Sequence, residues 1–407
     1  MNEVVLIKVS GADRKGVTAA LMTVLSKFNA EVLDVGQSVI HDHLSLGILV
    51  LLPPDAESSP ILKDILFAMH EMQMSVDFTP VSEERYQDWV LGHGKGRYIV
   101  TVLARVITAQ QLRDVAEVTS QYGLNIDGIR RLTGRLHLTQ EDRSKDIASI
   151  EFSLRGQDID TKTLSQAFLH IPDADIAFQA DTAFRRNRRL VVFDMDSTLI
   201  QTEVIDELAA LAGCAQEVAA ITERAMAGEI DFSESLTQRV AMLKGLPLAD
   251  IENIERQLPL SEGAERLISS LTRFGYKTAI VSGGFQNFAE PLAERLGIDF
   301  VHANHLEIID GVLTGRVKGP IVDAERKAHL LKEIAAAQGL SLEQVIAVGD
   351  GANDLEMLSA AGLGVAFHAK PLVRERADHS IGNLGLDAIL YLIGFSDRDL
   401  GRLDLQS

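Results

Sequence analysis

The sequence predicts an α/β fold in which a core with a parallel sheet and a helical insertion follows two small α+β units. Three observations support this prediction. Between residues 4 and 180 the order strand, helix, strand, strand, helix, strand occurs twice. From Leu190 onward, short apolar runs alternate with helical patterns, as in parallel sheets. A mostly helical stretch, about 204–260, interrupts this alternation near its beginning.

Length and composition exclude several classes of protein. The chain has 407 residues, of which 46% are hydrophobic, so two or three globular domains are expected. A formal net charge of −19 argues against a nucleic-acid partner, because such a partner needs a basic face. The single cysteine, Cys214, predicts a reducing, cytoplasmic location. The chain lacks an 18-residue apolar run and a basic, then apolar N-terminus, so neither a membrane span nor a signal peptide is predicted.

The first two units each have the split βαβ arrangement of ferredoxin-like domains. We expect them to span residues 1–90 and 97–182, with the glycine-rich segment 92–96 as the hinge between them. In the first unit the pattern predicts strands at 4–10, 31–40, 44–52 and 75–80 and helices at 17–29 and 61–72. In the second unit it predicts strands at 97–104, 124–132, 147–154 and 175–179 and helices at 109–122 and 162–170.

The charged run 184–189 joins these units to the core. Such a run predicts a solvated linker. The alternative is that its arginines steer anions toward the strand that follows.

The first unit carries Gly11-Ala-Asp-Arg-Lys-Gly-Val17 between its first strand and first helix. Gly16 permits close backbone approach, and free N–H groups at the start of the helix could hold a carboxylate. The two units resemble ACT domains, modules that bind amino acids and regulate an attached enzyme, which implies a regulatory ligand near Asp13 and Gly16. The corresponding loop of the second copy, 105–108, has no glycine, so that copy is expected to serve mainly in packing or dimerisation. The alternative is that both copies are only a scaffold.

In the second half of the chain, polar residues follow three predicted strands and one lysine opens a predicted helix. They are Asp194 and Asp196 after the run 190–193, Ser282 and Gly283 after 277–281, Lys327, and Asp350, Asn353 and Asp354 after 345–349. The carboxyl ends of parallel strands meet at one edge of a sheet, so these groups are expected to lie together. Each motif alone is also an ordinary turn, helix cap or solvated lysine. Their combination in this order favours a site.

This order resembles the haloacid dehalogenase superfamily of phosphatases, across about residues 188–395: Asp-x-Asp-x-Thr, a Ser after a strand, a Lys, and Gly-Asp-x-x-Asn-Asp. The resemblance implies a Rossmann-like haloacid dehalogenase core over residues 185–407. It also implies that Asp194 is a nucleophile that forms an aspartyl-phosphate and that Asp196 is the proton donor and base.

The same resemblance implies a Mg²⁺ cofactor and a set of phosphate-binding groups. The implied metal ligands are Asp194, the backbone carbonyl of Asp196 and Asp350, with Asp354 in a supporting position. The implied phosphate-binding groups are Ser282, Gly283, Lys327 and Asn353.

The helical insertion, about 204–260, follows the first motif directly, so it is expected to be a cap over the site. The run Met226-Ala-Gly-Glu-Ile-Asp-Phe232 and the later Arg239, with Glu203 before them, resemble the phosphoserine phosphatases. The resemblance implies that Glu203 accepts a hydrogen bond from the substrate ammonium and that Arg239 pairs with its carboxylate. Met226 and Phe232 would supply an apolar lid. Spacing alone favours a surface arginine for Arg239 and a helix-start carboxylate for Glu203.

Together these resemblances imply a hydrolase that converts O-phospho-L-serine to L-serine and phosphate, the last step of serine biosynthesis. An amino-acid effector such as serine at the ACT units and a homodimer are expected. Three alternatives remain at this stage. They are a phosphatase for another amino-acid phosphate or a phosphoprotein, a sensor with an inactive core, and a phosphotransferase to another alcohol.

Overall fold

The computed structural model describes residues 3–53, 58–91, 96–135, 145–157 and 159–401. The chain divides into two compact units, Met1–Lys95 and Gly96–Ser407. Residues 92–95 of the expected hinge lie outside the described residues. No helix in the described ranges is both long enough and apolar enough to cross a membrane.

The first unit contains one antiparallel four-stranded sheet of order β2-β3-β1-β4. Its elements are β1 (Glu3–Ala12), α1 (Val17–Lys27), β2 (Glu31–Ile40), β3 (His43–Leu52), α2 (Ser58–Glu71), β4 (Ser75–Val81) and α3 (Glu83–Leu91). The alternating residues Ile7 and Ile48 of the sheet and Leu21 and Ile65 of the helices are fully buried in one core. The helices therefore cover one face of the sheet.

Helix α3 was not predicted from the sequence. It buries no residue, so it leaves no periodic apolar signal. Its start is nevertheless marked by Ser82, whose Oγ accepts a hydrogen bond from the N–H of Arg85 at 3.3 Å, and by Glu83 and Glu84 in the first turn.

The second unit begins with another antiparallel four-stranded sheet, of order β6-β7-β5-β8. Its elements are β5 (Gly96–Ala104), α4 (Ala109–Gln121), β6 (Asn125–Arg131), β7 (Ala148–Gly156), α5 (Thr161–Phe168) and β8 (Asp175–Ala180). Thr108 and Gln111 form a reciprocal capping box at the start of α4. Strand order and helix placement thus repeat those of the first unit.

The rest of the second unit is built on a seven-stranded sheet of order β12-β11-β10-β9-β13-β14-β15. All neighbours pair in parallel except the antiparallel hairpin of β11 and β12. The strands are β9 (Leu190–Phe193), β10 (Lys277–Phe285), β11 (Phe300–Ile309), β12 (Val312–Lys318), β13 (Val345–Gly349), β14 (Leu363–Phe367) and β15 (His379–Ile381). Every residue of β9, β13 and β14 is buried, which explains their continuous apolar sequences.

Helices cover this sheet on both faces, because buried residues form a separate cluster on each face. The helices are α10 (Ala264–Arg273), α11 (Gln286–Leu296), α12 (Ala324–Ala337), α13 (Leu355–Ala360), α14 (Pro371–Arg376) and α15 (Ile389–Leu392). Strand β9 lies between β10 and β13, so the three polar strand ends predicted from the sequence are neighbours.

Four helices form the insertion between β9 and α10: α6 (Val204–Ala212), α7 (Ala215–Met226), α8 (Phe232–Met242) and α9 (Leu248–Gln257). Their buried residues join the same apolar cluster as one face of the seven-stranded sheet. The N–H of Gly245 donates to the carbonyl of Leu313 at 2.8 Å, and that of Leu248 donates to Gly311 at 2.9 Å. The insertion is therefore fastened to the β11–β12 hairpin.

The second four-stranded sheet packs against the core through a set of ion pairs and hydrogen bonds. Arg105, in the loop that lacks a glycine, donates to both carboxylate oxygens of Glu262 at 2.8 and 2.7 Å. The buried carboxylate of Asp175 accepts from the backbone N–H groups of Gly382 at 2.9 Å and Asn383 at 3.0 Å. This loop therefore contributes to packing within the second unit.

The expectation that the run 184–189 is a solvated linker is wrong for two of its arginines. Arg185 and Arg188 are only 2% and 5% exposed. Arg185 donates to the buried carboxylate of Glu151 at 2.6 Å. Arg185 can be buried because Glu151, on β7 of the neighbouring sheet, supplies a counter-charge that local sequence does not reveal.

Candidate active site

The loop after β9 turns two carboxylates toward the same end of the sheet. Asp194 is 5% exposed, and its N–H donates to the carbonyl of Val348 in β13 at 2.9 Å. Its Oδ1 accepts from the N–H of Met195 at 2.7 Å, which leaves Oδ2 for other partners. Ser197 takes a left-handed conformation, φ 54°, and this sharp turn follows directly after Asp196.

Lys327 of α12 is fully buried between two carboxylates. Its Nζ lies 2.9 Å from Oδ2 of Asp194 and 2.7 Å from Oδ1 of Asp354. Burial alone would lower the pKa of Lys327, but the two carboxylates outweigh it and raise the pKa above its ordinary value. The lysine is therefore a fixed positive charge at the candidate nucleophile.

Three carboxylates form a cluster around this lysine: Asp194, Asp350 and Asp354 each offer an oxygen within 4.8 Å of the others. Burial, together with the charges of Asp194 and Asp354, raises the pKa of Asp350 to about 8. Burial and the charge of Asp194 raise the pKa of Asp354 to about 6. One lysine cannot balance three carboxylates, so the cluster carries excess negative charge.

Hard carboxylate oxygens with excess negative charge fit a divalent metal ion. Asp350 has no cationic partner within 4.0 Å in the part of the chain that the structure describes, and its Oδ1 accepts a hydrogen bond from Thr198 at 3.2 Å. Oδ2 of Asp354 accepts from the N–H of Gly351 at 3.0 Å. The three carboxylates thus suit a divalent cation. Hydrogen bonds from Gly351 and Lys327 hold the side chain of Asp354 in place.

Asp196 lies beside this cluster in a different environment. Its Oδ1 accepts from the N–H of Val204 at 3.3 Å, and its Oδ2 lies against the backbone of Gly284. Burial, followed by the charges of Glu203 and Asp194, raises the pKa of Asp196 well above its usual range. A carboxyl group whose pKa is raised in this way is suited to act as a general acid.

The end of β10 presents hydrogen-bonding groups to the same region. Ser282 is 1% exposed, and its Oγ accepts from the N–H of Gly284 at 3.0 Å. The carbonyl of Gly283 accepts from Nδ2 of Asn304 at 2.8 Å, and Oδ1 of Asn304 accepts from the N–H of Val322 at 2.9 Å. Sequence reasoning missed Asn304, because a single asparagine inside a strand carries no spacing signal.

Asn353 lies in a short turn, Ala352–Asp354, and is half-buried. Its Oδ1 lies so close to Gly351 that a β-carbon there would clash. Among the described residues it forms no hydrogen bond with Ser282 or Lys327, and it precedes Asp354 of the acidic cluster directly in the chain.

The two residues expected to read the substrate lie near each other but form no ion pair. Oε1 of Glu203 accepts from the hydroxyl of Ser197 at 2.7 Å. Protein packed around this carboxyl, and the charges of Asp194 and Asp206, raise its pKa, although water still reaches the side chain. The contact with Ser197 was not predicted from the sequence.

Arg239 of α8 is half-buried, and its Nε donates to the carbonyl of Ser235 at 3.4 Å. Burial lowers its pKa, while the charges of Asp206, Glu203 and Asp196 oppose that effect. No carboxylate within the described ranges lies close enough to its guanidinium to form an ion pair. Its charged fork is therefore available to an added carboxylate.

Of the two residues expected to form an apolar lid, Phe232 contacts the end of β10. Its ring lies against the backbone of Gly283, where a β-carbon would come within 2.9 Å of Cζ. Met226 is 67% exposed, and its Sδ lies 3.9 Å from Nζ of Lys370. Phe232 thus covers the strand end, whereas Met226 lies at a more exposed position beside Lys370.

Comparison with known proteins identifies the family. The haloacid dehalogenase-like hydrolases match residues 191–359. Phosphoserine phosphatase SerB2 of Mycobacterium tuberculosis is 43% identical over 406 residues, which covers 98% of this chain and 95% of the relative. The phosphoserine phosphatase of Streptomyces coelicolor is 41% identical over 403 residues, covering 98% and 94%. The chain belongs to the phosphoserine phosphatase family.

A solved structure agrees with membership of the phosphoserine phosphatase family. The probable phosphoserine phosphatase of Vibrio cholerae is 35% identical with a TM-score of 0.57, covering 76% of this chain and 89% of that chain. An HAD family hydrolase of Salmonella enterica, 31% identical, gives a TM-score of 0.62 and covers 73% and 98%. The predicted haloacid dehalogenase core with a parallel sheet is thereby confirmed.

This member of the phosphoserine phosphatase family also carries an ACT domain, which matches residues 3–79. Gly16 precedes α1 with a φ of 94°, a conformation that favours glycine. Asp13 is exposed, and its N–H donates to the carbonyl of Asp42 at 2.7 Å. The loop expected to hold a ligand therefore has an exposed backbone at the start of a helix.

Proposed function

We propose that this protein hydrolyses O-phospho-L-serine to L-serine and phosphate through an aspartyl-phosphate on Asp194. The observation that carries the proposal is the environment of Asp194. Oδ2 of Asp194, which does not bond to Met195, lies 2.9 Å from Nζ of Lys327, and the nearby carboxyl of Asp196 has a raised pKa. One carboxylate is thus prepared for attack and its neighbour for proton donation.

In the first step Oδ2 of Asp194 attacks phosphorus, and the bond from phosphorus to the serine oxygen breaks. Asp196 gives its proton to that departing oxygen, so L-serine leaves as an alcohol. In the second step the ionised Asp196 takes a proton from water. The resulting hydroxide attacks phosphorus, releases phosphate and restores the Asp194 carboxylate.

Positive charge and hydrogen-bond donors would neutralise the transferring group. We assign this role to the Ser282 hydroxyl, the Gly283 N–H, the Lys327 ammonium and the Asn353 amide. The contacts of Asn304 with Gly283 and Val322 support the assignment, because they fix the backbone at the end of β10.

We propose Mg²⁺ as the divalent ion, with Asp194, the backbone carbonyl of Asp196 and Asp350 as ligands. Asp354 would hold this set in place through its bonds to Lys327 and Gly351. When bound, the ion would hold the carboxylate and a phosphate oxygen together and offset their repulsion. The excess negative charge of the carboxylate cluster supports a divalent cation.

We propose that Glu203 and Arg239 select phosphoserine. Glu203 would accept a hydrogen bond from its ammonium, and Arg239 would pair with its carboxylate. The bond from Ser197 fixes Glu203, and Arg239 lacks an ion-pair partner among the described residues. Phe232 would close over the phosphate end and Met226 over the more exposed rim. A substrate without the amino and carboxylate groups would leave Arg239 unpaired and would react less efficiently.

The test is release of phosphate from L-phosphoserine with Mg²⁺ and with a chelator, beside phosphothreonine and an aryl phosphate. The proposal expects metal-dependent turnover with a strong preference for phosphoserine. Metal-dependent turnover without that preference would overturn the roles of Glu203 and Arg239. No turnover of any ester would overturn the catalytic proposal itself.

We also propose that an amino acid such as serine binds near Asp13 and Gly16 and that the protein is a homodimer. Strand β2 lies at the edge of the first sheet and is exposed along almost its whole length, with Val35 53% and Ile40 78% exposed. Apolar side chains on an open edge strand suit pairing with a second copy. The mass of the protein in solution, measured with and without serine, tests both proposals.

A cytoplasmic location is proposed on the chemistry of the only cysteine. Cys214 is buried and free, and burial raises its pKa, which makes the thiol less reactive. A protein without disulfides suits a reducing compartment. Fractionation of cells that express the protein tests this assignment.

A further inference from the structure

A cavity of about 270 Å³ lies where β8 of the second four-stranded sheet meets β15 of the seven-stranded sheet. Its wall includes Gln179, Arg185, Arg188 and His379. The proposed catalytic mechanism uses none of these residues. One water takes up about 30 Å³, so the cavity has room for a small ligand together with several waters.

Arg188 is the unusual group in this wall, because it is a buried charge that forms no ion pair with any residue that the structure describes. It is 5% exposed. Its two terminal nitrogens donate to the carbonyls of Arg185 and Gly362, both at 3.3 Å, and its Nε has no hydrogen-bond partner among the described residues. No carboxylate in the described ranges lies within 4.0 Å of its guanidinium.

The charge on Arg188 persists at neutral pH. Burial and the positive charge of Arg185 lower the pKa of Arg188 to about 10. Arg185 itself is paired with Glu151, so it needs no further anion. An isolated buried cation costs free energy, and a bound anion would offset that cost.

Two further buried polar atoms, on residues that line this cavity, have no hydrogen-bond partner in the part of the chain that the structure describes: Nε of Arg185 and Oε1 of Gln179. Buried polar atoms are nearly always paired, so a group of unpaired atoms around one cavity points to a ligand or ordered water. Glu343 and Asp378 also line the cavity, and neither forms an ion pair with a described residue.

We propose that this cavity binds a small oxyanion, a carboxylate or a phosphate, with Arg188 as its main partner. A guanidinium offers parallel N–H donors that match two oxygens of either group. The carboxylates of Glu343 and Asp378 could pair with an ammonium group. A ligand that carries both an oxyanion and an ammonium therefore matches this cavity better than an oxyanion alone. The site therefore binds an aminocarboxylate more tightly than phosphate.

The test is hydrogen–deuterium exchange of the full-length chain with L-serine, with inorganic phosphate, and with sodium chloride at equal ionic strength. L-serine and phosphate are the products in the proposed function, but the cavity lies outside the proposed active site and would bind them whether or not that function holds. When the free ligand concentration is about ten times the dissociation constant, local opening of the binding site becomes about tenfold rarer. Amide exchange in that region slows by about the same factor. We expect L-serine to slow exchange in residues 179–189 and 376–382. Phosphate at the same concentration should slow exchange in these residues by a smaller factor.

Peptides that cover residues 194–203 report binding at the active site in the same experiment. If they respond while the two cavity segments do not, the proposal is overturned and the proposed function is untouched. If the cavity segments respond and the active-site peptides do not, the cavity site stands without support for the proposed function.

Arg188→Gln removes the charge, and Arg186→Gln is the matched control, because Arg186 belongs to the same run but is exposed. We expect at least about tenfold weaker binding in Arg188→Gln, from the loss of one charge-assisted hydrogen-bonding partner. Arg186→Gln keeps wild-type protection. Equal protection in both variants would contradict the proposal. If Arg188→Gln does not fold, Arg188→Lys, which keeps the charge, takes its place and should bind more weakly than the wild type.

Discussion

Lys327 donates a 2.7 Å hydrogen bond to Asp354 at a point where both side chains are inaccessible to water. The same ammonium lies 2.9 Å from Asp194. A residue without direct access to substrate thus positions the lysine that faces the candidate nucleophile. This contact distinguishes the last aspartate of Gly-Asp-x-x-Asn-Asp from Asp350, which has no such bond to Lys327 among the described residues.

Asp354→Asn is expected to weaken metal affinity and turnover by roughly 10- to 100-fold, because the residue supports Lys327 and the metal ligands. Calorimetric titration with Mg²⁺ and steady-state kinetics measure the two effects. Asp310→Asn, at an exposed hairpin turn, is the matched control. Wild-type affinity and turnover in Asp354→Asn would contradict a supporting role.

Arg239→Ala is expected to lower kcat/KM for phosphoserine by about 10- to 100-fold, because a charge-assisted pair with the substrate carboxylate is lost. Turnover of an aryl phosphate, which has no such carboxylate, should change little. Arg224→Ala on the neighbouring helix α7, where the side chain is exposed, is the control. Equal losses on both substrates would show that Arg239 does not read the carboxylate.

Gly284→Ala is expected to reduce turnover by roughly 100-fold, because a β-carbon there would come within 2.5 Å of Oδ2 of Asp196 and displace it. Gly128→Ala, at a position with open space around it, should leave turnover unchanged. Kinetics of the two variants, with thermal unfolding as a check on folding, make the comparison. Unchanged turnover in Gly284→Ala would mean that the position of Asp196 is not critical.

Metal affinity is expected to rise with pH, by up to about tenfold per unit below pH 8, because protons compete for the same oxygens. The pKa of Asp350 is raised to about 8 and that of Asp354 to about 6, whereas an unfolded aspartate titrates near 3.9. Between about pH 4 and about pH 8, the folded, metal-free chain therefore binds more protons than the unfolded chain. Its stability falls as pH rises through that window.

Added Mg²⁺ should remove most of this fall in stability, because the metal replaces the protons as the source of positive charge. Melting temperatures between pH 6 and about 8.5, with Mg²⁺ and with a chelator, measure the effect. A metal affinity that does not vary with pH would contradict the assignment of these carboxylates as ligands.

The catalytic core was predictable because its signals are local and repeated. The runs 190–193 and 345–349 are apolar at every position or nearly so, as a strand buried on both faces requires. Polar residues at the ends of such strands meet at one edge, which is where Asp194, Ser282 and Asp350 lie. The roles assigned to these residues remain predictions until they are tested.

The remaining features depend on contacts between distant segments. Charge in the run 184–189 predicted exposure, and the partner that allows Arg185 to be buried lies 34 residues away on β7. Asn304 fixes the backbone of Gly283 from another strand, and Ser197 fixes Glu203 only because the chain turns sharply between them. No periodicity or spacing in one sequence records such pairings.

The most direct test of the account is whether phosphate is transferred to Asp194. Radiolabelled phosphoserine is mixed with the full-length protein and Mg²⁺ and quenched within one turnover, and the labelled peptide is sequenced by mass spectrometry. The account predicts label on Asp194 that hydroxylamine removes, and no label or turnover in a folded Asp194→Asn variant. Label on another residue, or turnover near the wild-type rate in Asp194→Asn, would contradict it.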